Sequence, residues 1–157
     1  MCAFARTLLR LLGRVPIALA LLTAALVARP ASAQDAATFQ VIVNAANPVT
    51  SLTREETSRL FLRKVVTWTR GEAVQPVDQA EGSPVRQSFS KSIHRRDVPG
   101  VKKYWQELTF TGQGVPPIER SSDAEVVALV GGSRGAIGYV APSAALGRKV
   151  RAVRIIE

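Results

Sequence analysis

The chain has 157 residues with 21 basic and 12 acidic side chains, one histidine and one cysteine, and its formal net charge is +9. A single cysteine excludes an internal disulfide framework, and a lone histidine without cysteines around it argues against a zinc-type metal site. The positive charge favours anionic partners without naming one.

The first 33 residues have the three parts of an export signal. Arginines precede the apolar run VPIALALLTAALVA, and the ASA that ends at Ala33 fits the small-x-small rule for cleavage. A retained membrane anchor is the alternative, but the apolar run is shorter than the ~20 residues that a span needs. We predict cleavage after Ala33, no stable membrane insertion afterwards, and a periplasmic protein of residues 34–157.

The remaining 124 residues suit one domain with a single core. The signal carries four of the 21 basic residues and none of the 12 acidic ones, so the remainder has a formal charge of +5. Cys2 lies before the apolar run and would leave with the signal. This position also argues against a lipoprotein, whose modified cysteine follows the apolar run.

The predicted elements begin with a strand over residues 39–43, where apolar residues alternate up to the Asn47-Pro48 turn. Thr53 lies three residues before Glu56, which is typical of a capping box and predicts a helix. A second extended segment is predicted around residues 74–77.

The segment AEGSPVRQSF, residues 80–89, opens a further helix, which Pro99-Gly100 interrupts. VKKYWQELTF predicts another helix, and Ser122 begins one that ends at Gly131-Gly132. GAIGYV and KVRAVRII predict two final strands. The order βαβααα-β-β indicates a mixed α/β fold in which helices cover a small sheet.

The opening Gly82–Arg86 is the main candidate for a ligand site. Helix N-termini present unpaired N–H groups and a positive dipole end, which suit an oxyanion such as phosphate or sulfate. Ser83 would cap the helix or donate its hydroxyl, and Arg86 would add a bidentate charged contact. The alternative is that Ser83-Pro84 only begins a helix and that Arg86 is solvated.

His94 lies among cations that disfavour its protonated form, and we expect a surface role with no metal and no cofactor. The string GGSRG, centred on Ser133, satisfies G-x-S-x-G, but a nucleophile elbow needs a strand before the serine and a helix after it. Here a predicted helix precedes the serine and a strand follows. A serine hydrolase is therefore not predicted.

Four aromatic residues could form a stacking platform for bases or sugars beside the basic runs HRR and VKK. They are Trp68, Tyr104, Trp105 and Tyr139. The alternative is that they belong to the core, and an exported protein seldom meets nucleic acid. No nucleic-acid partner is predicted.

Three segments, taken together and in order, resemble phosphate-type substrate-binding proteins of ABC transporters. They are SLTREETSRLFLRKVVTWTRGEAVQPVDQ, EGSPVRQSF at the place of the family's glycine-serine phosphate loop, and GAIGYV, which matches a family strand. The resemblance spans about Val41 to Ile156 and is closest to short single-lobe members. It implies a single α/β lobe of the periplasmic-binding-protein type, phosphate or a related oxyanion as ligand, no enzymatic activity, and an ABC permease as a partner.

The loop departs from the family pattern, in which the glycine-serine pair is followed by two threonines. Only Gly82 and Ser83 carry over directly, and the backbone N–H groups of Val85 and Arg86 are further predicted donors. Arg63 also stands where the family usually has glycine.

Weaker candidates for the ligand site lie outside the loop: Asn44 and Thr53, on the presumed same edge of the sheet, and Arg134 before GAIGYV. Full-length family members close two lobes around the anion, whereas this chain resembles the second lobe alone. An open lobe leaves the ligand wet and its hydrogen bonds weak in net terms. A second hypothesis is therefore that the lobe is an interaction module, which pairs with itself as a homodimer or with a membrane partner and has no role in transport.

Overall fold

The computed structural model describes residues 39–157, so the predicted export signal and its cleavage site lie outside the described part of the chain. Residues 39–157 form six strands: β1 (Gln40–Asn44), β2 (Ser51–Thr53), β3 (Gln75–Gln79), β4 (Ile118–Arg120), β5 (Ala136–Val140) and β6 (Val150–Ile156). They also form four α-helices: α1 (Arg54–Phe61), α2 (Pro84–Phe89), α3 (Val98–Phe110) and α4 (Asp123–Gly132). Within these residues, no helix has both the length and the apolar composition that crossing a bilayer requires.

Side chains at the helix starts explain where the helices begin. Thr53 and Glu56 form the predicted capping box, in which the Glu56 N–H donates to Thr53 Oγ1 at 3.1 Å and the Thr53 N–H donates to Glu56 Oε2 at 2.7 Å. Ser122 caps α4 by accepting from the Glu125 N–H at 3.3 Å. The predicted starts of α1 and α4 are confirmed because these signals are local in sequence.

The start of α3 differs from the prediction. Asp97 accepts a hydrogen bond from the Gly100 N–H at 2.9 Å and caps a helix that already contains Pro99 and Gly100 in its first turn. Proline is compatible with this position because first-turn N–H groups have no partner inside the helix. The preceding segment instead ends in a π-helical turn, Ser90–His94, that follows α2 directly and is closed by Arg95 in the left-handed conformation, φ 53°. The prediction that Pro99-Gly100 interrupts the earlier helix is wrong.

The strands form one sheet in the order β2-β6-β1-β5-β3-β4. β1 is antiparallel to both of its neighbours, with Val43 opposite Ile137 of β5 and opposite Arg151 of β6. β3 is parallel to β5, β4 is parallel to β3, and β2 is parallel to β6. The predicted mixed α/β fold with a helix-covered sheet is confirmed, although the sequence patterns do not predict the three-residue strands β2 and β4.

The strand directions decide which residues meet at each edge of the sheet. Because β1 runs against the other five strands, the carboxyl ends of those five strands lie at one edge, beside the start of β1. We call this edge the α2 edge, because β3 leads through a short turn into α2 there. The end of β1 and the start of β5 lie at the opposite edge.

One face of the sheet is covered by α1, α2 and the π-helical turn. Phe61 of α1, Phe89 of α2 and Ile93 of the turn pack there against Val41 of β1 and Tyr139 of β5. All five side chains are buried. The cluster on this face has more members than the one on the opposite face, so it is the larger part of the core.

The second face is covered by α4, whose Val126 and Val130 pack against Ile42 and Val77. Gly138 of β5 permits this close approach, because a Cβ atom there would lie 2.7 Å from Val126 Cγ1. With both faces covered, the sheet is the middle layer of three.

Candidate functional site

The opening of α2 forms as predicted, with Ser83 as its N-cap. Ser83 Oγ accepts from the Arg86 N–H at 3.4 Å and donates to Gln79 Oε1 at 2.6 Å. Gly82 is exposed, and a Cβ atom placed on it would meet nothing within 4 Å. The turn that leads into α2 is therefore accessible from solvent.

Arg86 is only 3% exposed, so the alternative that it is solvated is wrong. Its Nη2 lies 3.2 Å from Asp78 Oδ2 and its Nη1 lies 2.6 Å from Glu119 Oε1. Nη1 also donates to the Gln79 carbonyl oxygen. These contacts take up three of its five N–H groups, and Nε, which has no hydrogen-bond partner within residues 39–157, is itself buried, so Arg86 is poorly placed for a direct contact with a ligand in solvent.

Asp78, a buried residue of β3, forms one of the ion pairs of Arg86. Its Oδ1 accepts hydrogen bonds from the Tyr139 hydroxyl and, at 2.9 Å, from the Gln79 N–H. Burial raises the pKa of Asp78 above its ordinary value, while the charge of Arg86 and these donors oppose the rise. With three donor groups directed at it, we treat Asp78 as an ionised carboxylate at neutral pH. Burial, followed by the charge of Asp78, raises the pKa of Tyr139, so Tyr139 remains a donor.

Gln79 connects the α2 opening to the start of α4. Its Nε2 donates to Asp123 Oδ1 at 2.7 Å and to the Tyr139 carbonyl oxygen at 3.0 Å, while its Oε1 accepts from Ser83. Asp123 Oδ2 in turn accepts from the Ala141 N–H at 3.2 Å. The α2 edge thus carries a connected polar network that residue patterns along the sequence do not reveal.

Formal charge in this network is negative. Asp78, Glu119 and Asp123 supply three carboxylates, and Arg86 is the cation that contacts two of them. The sequence signal that was available is Asp78 itself, a carboxylate next to Val77 in a predicted extended segment. Glu119, the second carboxylate that contacts Arg86, lies 33 residues beyond it and has no local signal.

Three of the other predicted site residues lie away from the α2 opening. Asn44 lies at the opposite edge and donates to the Val130 and Gly131 carbonyl oxygens at 3.0 and 3.1 Å, so its presumed placement on the same edge is wrong. Arg134 precedes β5 and shares that opposite edge. Thr53 lies at the α2 edge, but β2 is four strands from β3, about 19 Å at the usual strand spacing.

The remaining predicted donor is Val85, which lies in the first turn of α2. Its side chain is partly buried and packs against the core beneath α1 and α2. Gly82, Ser83, Val85 and Arg86 are therefore the predicted residues that the structure brings together.

His94 is partly buried and is not the surface residue that we expected. Its Nδ1 is hydrogen-bonded to Ser58 Oγ at 2.9 Å, and its ring meets the ring of Phe89 edge-on. Burial, with the charges of Arg96 and Arg86, lowers its pKa to about 4. Ser133 ends α4 and precedes β5, which is the helix-then-strand order that excludes a nucleophile elbow.

The aromatic residues considered for a stacking platform are buried, except that Tyr104 is only partly buried. Trp68 is 8% exposed and its Nε1 donates to the Gly135 carbonyl oxygen at 2.9 Å, while Trp105 and Tyr139 are also buried. The alternative that these aromatics belong to the core is correct. Across residues 39–157, no group of three His, Cys, Asp or Glu side chains is placed to hold a metal ion.

No protein-family model and no curated protein matches the chain. An ABC-type phosphate transport receptor from Vibrio cholerae matches its structure with a TM-score of 0.59 and 20% identity, over 75% of this chain and 46% of the receptor. A protein from Clostridium perfringens, assigned as a phosphate ABC transporter substrate-binding protein and solved with bound phosphate, gives a TM-score of 0.59 and 20% identity over 75% and 44% of the two chains.

A third solved structure, PstS from Borrelia burgdorferi, matches with a TM-score of 0.51 and 12% identity, over 75% of this chain and 47% of that one. The chain thus spans under half the length of these solved proteins. At these identities the likeness concerns the fold alone. The predicted α/β lobe of the periplasmic-binding-protein type is confirmed.

Proposed function

We propose that the chain is an exported, non-enzymatic binding lobe that holds phosphate or a related oxyanion at the α2 opening, and that it serves ABC-type phosphate uptake with a permease as partner. The observation that carries the proposal is the accessible turn at Gly82 leading into a helix capped by Ser83. Support comes from the fold, which is shared with receptors that include a phosphate-bound structure.

The donors of this site are the groups that remain free to face solvent. In the first turn of α2, Pro84 has no N–H and the Arg86 N–H donates to Ser83, so the Val85 N–H would be the backbone donor to the anion, and the positive end of the helix adds a favourable field. Ser83 would turn its hydroxyl from Gln79 toward the ligand. Arg86 would attract the anion through its buried positive charge without touching it, since its guanidinium pairs with Asp78 and Glu119. Asn44, Thr53 and Arg134 have no part in the site because of their positions.

The neighbouring carboxylates would restrict which anion is accepted. An ionised carboxylate is an acceptor only, so it repels an anion without protons and tolerates one that can donate a hydrogen bond. Phosphate retains a proton at neutral pH and sulfate does not. We therefore expect phosphate to bind more tightly than sulfate.

Isothermal titration of the exported protein with phosphate and with sulfate tests this function. We expect saturable binding of phosphate that a Ser83→Ala variant weakens. Ser122→Ala is the matched control, because it removes an equivalent cap from α4 and should leave phosphate binding unchanged. Absence of phosphate binding in the wild type at millimolar concentration would contradict the proposal.

Export is tested separately by expressing the full chain in a bacterium and analysing the periplasmic fraction by mass spectrometry. The expected product begins at Gln34. A product that retains its first residues in the membrane fraction would contradict export with cleavage and would favour the anchored alternative.

A second function, as an interaction module, is favoured by the outer edge of β4. Among the described strands it pairs with β3 alone, and its Ile118 is 40% exposed. Free strand edges can pair with another chain, and two copies related by a two-fold axis would join their β4 strands antiparallel. Sedimentation velocity would show a dimer that Ile118→Lys abolishes, and a monomer at all concentrations would contradict self-pairing.

A further inference from the structure

A groove of about 420 Å³ lies at the α2 edge, between α3 and the ends of β3 and β4. One wall is the side of α3 that carries Trp105 and Phe110, and the other is the loop with Pro116 and Pro117. The volume and the largely apolar, aromatic walls are those of a small-molecule site. The groove shares Arg86 with the α2 opening, but Gly82, Ser83 and Val85 do not line it, so the proposed anion site does not account for its apolar walls.

The exposure of Phe110 is unusual for the molecule. Its side chain is 94% exposed at the last residue of α3, whereas Trp105, five residues earlier, is 5% exposed. An exposed phenyl ring and a buried indole thus both line the groove. Aromatic faces attract apolar rings and organic cations.

The charged side chains that line the groove favour an organic cation over an uncharged ring or an anion. The charged side chains that line the groove are Asp78, Glu81 and Glu119 against Arg86 and Lys102, which leaves one carboxylate in excess. Lys102 Nζ pairs with Glu81 at 3.0 Å, and Arg86 is shared between the other two carboxylates. A monocation would make the groove neutral, whereas an anion would add to the excess.

Glu119 is the carboxylate of the groove with an oxygen that can still accept a hydrogen bond from a ligand. Its side chain is 49% exposed, and its Oε1 accepts from Arg86 at 2.6 Å. Within residues 39–157, its Oε2 has no hydrogen-bond donor. Asp78, in contrast, is buried and receives three donor groups.

We infer that this groove binds a small organic monocation, an ammonium or guanidinium group carried on a ring or a short apolar body. The body lies between Phe110 and the Pro116-Pro117 loop, and the charge lies against Glu119 Oε2. This ligand goes beyond the proposed oxyanion and occupies a different surface of the same edge.

Titration of the exported protein with three probes that share one ring tests the inference: benzylammonium, benzyl alcohol and benzoate. We expect saturable binding of benzylammonium, about fivefold tighter than benzyl alcohol, the size expected for an ion pair with the half-exposed Glu119. Benzoate should bind least. The indole resonance of Trp105, followed by NMR, should shift with the first probe.

Variants separate charge from apolar contact. Glu119→Gln should remove the preference for the cation, whereas Glu55→Gln, which removes an exposed carboxylate from α1, should preserve it. Phe110→Ala should weaken both benzylammonium and benzyl alcohol by a similar factor, and thermal unfolding checks that each variant is folded. Equal binding of the three probes, tighter binding of benzoate, or no binding of benzylammonium at millimolar concentration would each overturn the inference.

Discussion

The ring of Tyr139 lies parallel to that of Phe89, with ring centroids 3.8 Å apart and planes inclined by 5°. The hydroxyl of the same tyrosine donates to Asp78. One side chain of β5 thus contacts both the apolar face of α2 and the carboxylate that pairs with Arg86.

Removal of that hydroxyl should destabilise the fold without disturbing the ring stack. Tyr139→Phe leaves the buried Asp78 with one donor fewer, and we expect a loss of about 1–3 kcal/mol in the free energy of unfolding. Tyr104→Phe is the control, since its hydroxyl donates to the Leu62 carbonyl oxygen at 3.1 Å in a less buried place. Urea unfolding compares them, and equal losses in the two variants would contradict the role given to the Asp78 contact.

Arg86 should be among the most costly polar residues to replace. Arg86→Met leaves Asp78 buried without its positive partner, for which about 3–5 kcal/mol is expected. Glu119→Gln should cost under about 1 kcal/mol, because the Glu119 side chain is 49% exposed. Chemical denaturation measures both. A loss below about 1 kcal/mol for Arg86→Met would show that the pair contributes little to the fold.

His94 should make stability depend on pH. Its pKa is about 4 in the folded protein against an ordinary 6.5, so between these values the unfolded chain takes up a proton and the folded protein does not. The contribution, about 3 kcal/mol, is complete above pH 6.5 and is lost as the pH falls toward 4.

The difference in unfolding free energy between the wild type and His94→Gln isolates this effect from that of the carboxylates. It should shrink as the pH falls from 6.5 to 4. NMR titration of the imidazole gives the pKa directly, and a value near 6.5 would refute the prediction.

Glycine at 138 should tolerate no side chain, in contrast to glycine at 82. A Cβ at Gly138 would lie 2.7 Å from Val126 Cγ1 and 3.1 Å from Val130 Cγ2, so Gly138→Ala should cost about 1–3 kcal/mol by forcing α4 away from the sheet. Gly82→Ala meets nothing within 4 Å and should change stability little. Thermal unfolding distinguishes the two, and comparable melting temperatures would contradict the close packing of α4.

Local chemistry explains what could be predicted from the sequence. The caps Thr53, Ser83 and Ser122 each act within three residues, and alternating apolar residues mark β1 and β6. The short strands β2 and β4 lack such a pattern, because three residues are too few to establish a period. The position of Asn44 depended on strand direction, which no local pattern encodes.

The candidate site was predictable only in part for the same reason. Ser83 and Gly82 were found because a helix start has a signature, whereas the ion pairs of Arg86 join β3, α2 and β4. Burial of Arg86 therefore follows from long-range pairing. A sequence pattern that marks an arginine near a helix start cannot distinguish a ligand contact from an internal ion pair.

The central position of β1 has a consequence for the order of folding. β1 forms at the start of the described chain, yet both of its neighbours, β5 and β6, come from residues 136–156. Closing loops of this length costs entropy before any strand pairing compensates for it, and such topologies fold slowly. The apolar residues 41–43 must therefore remain without their strand partners until nearly the whole chain has been synthesised.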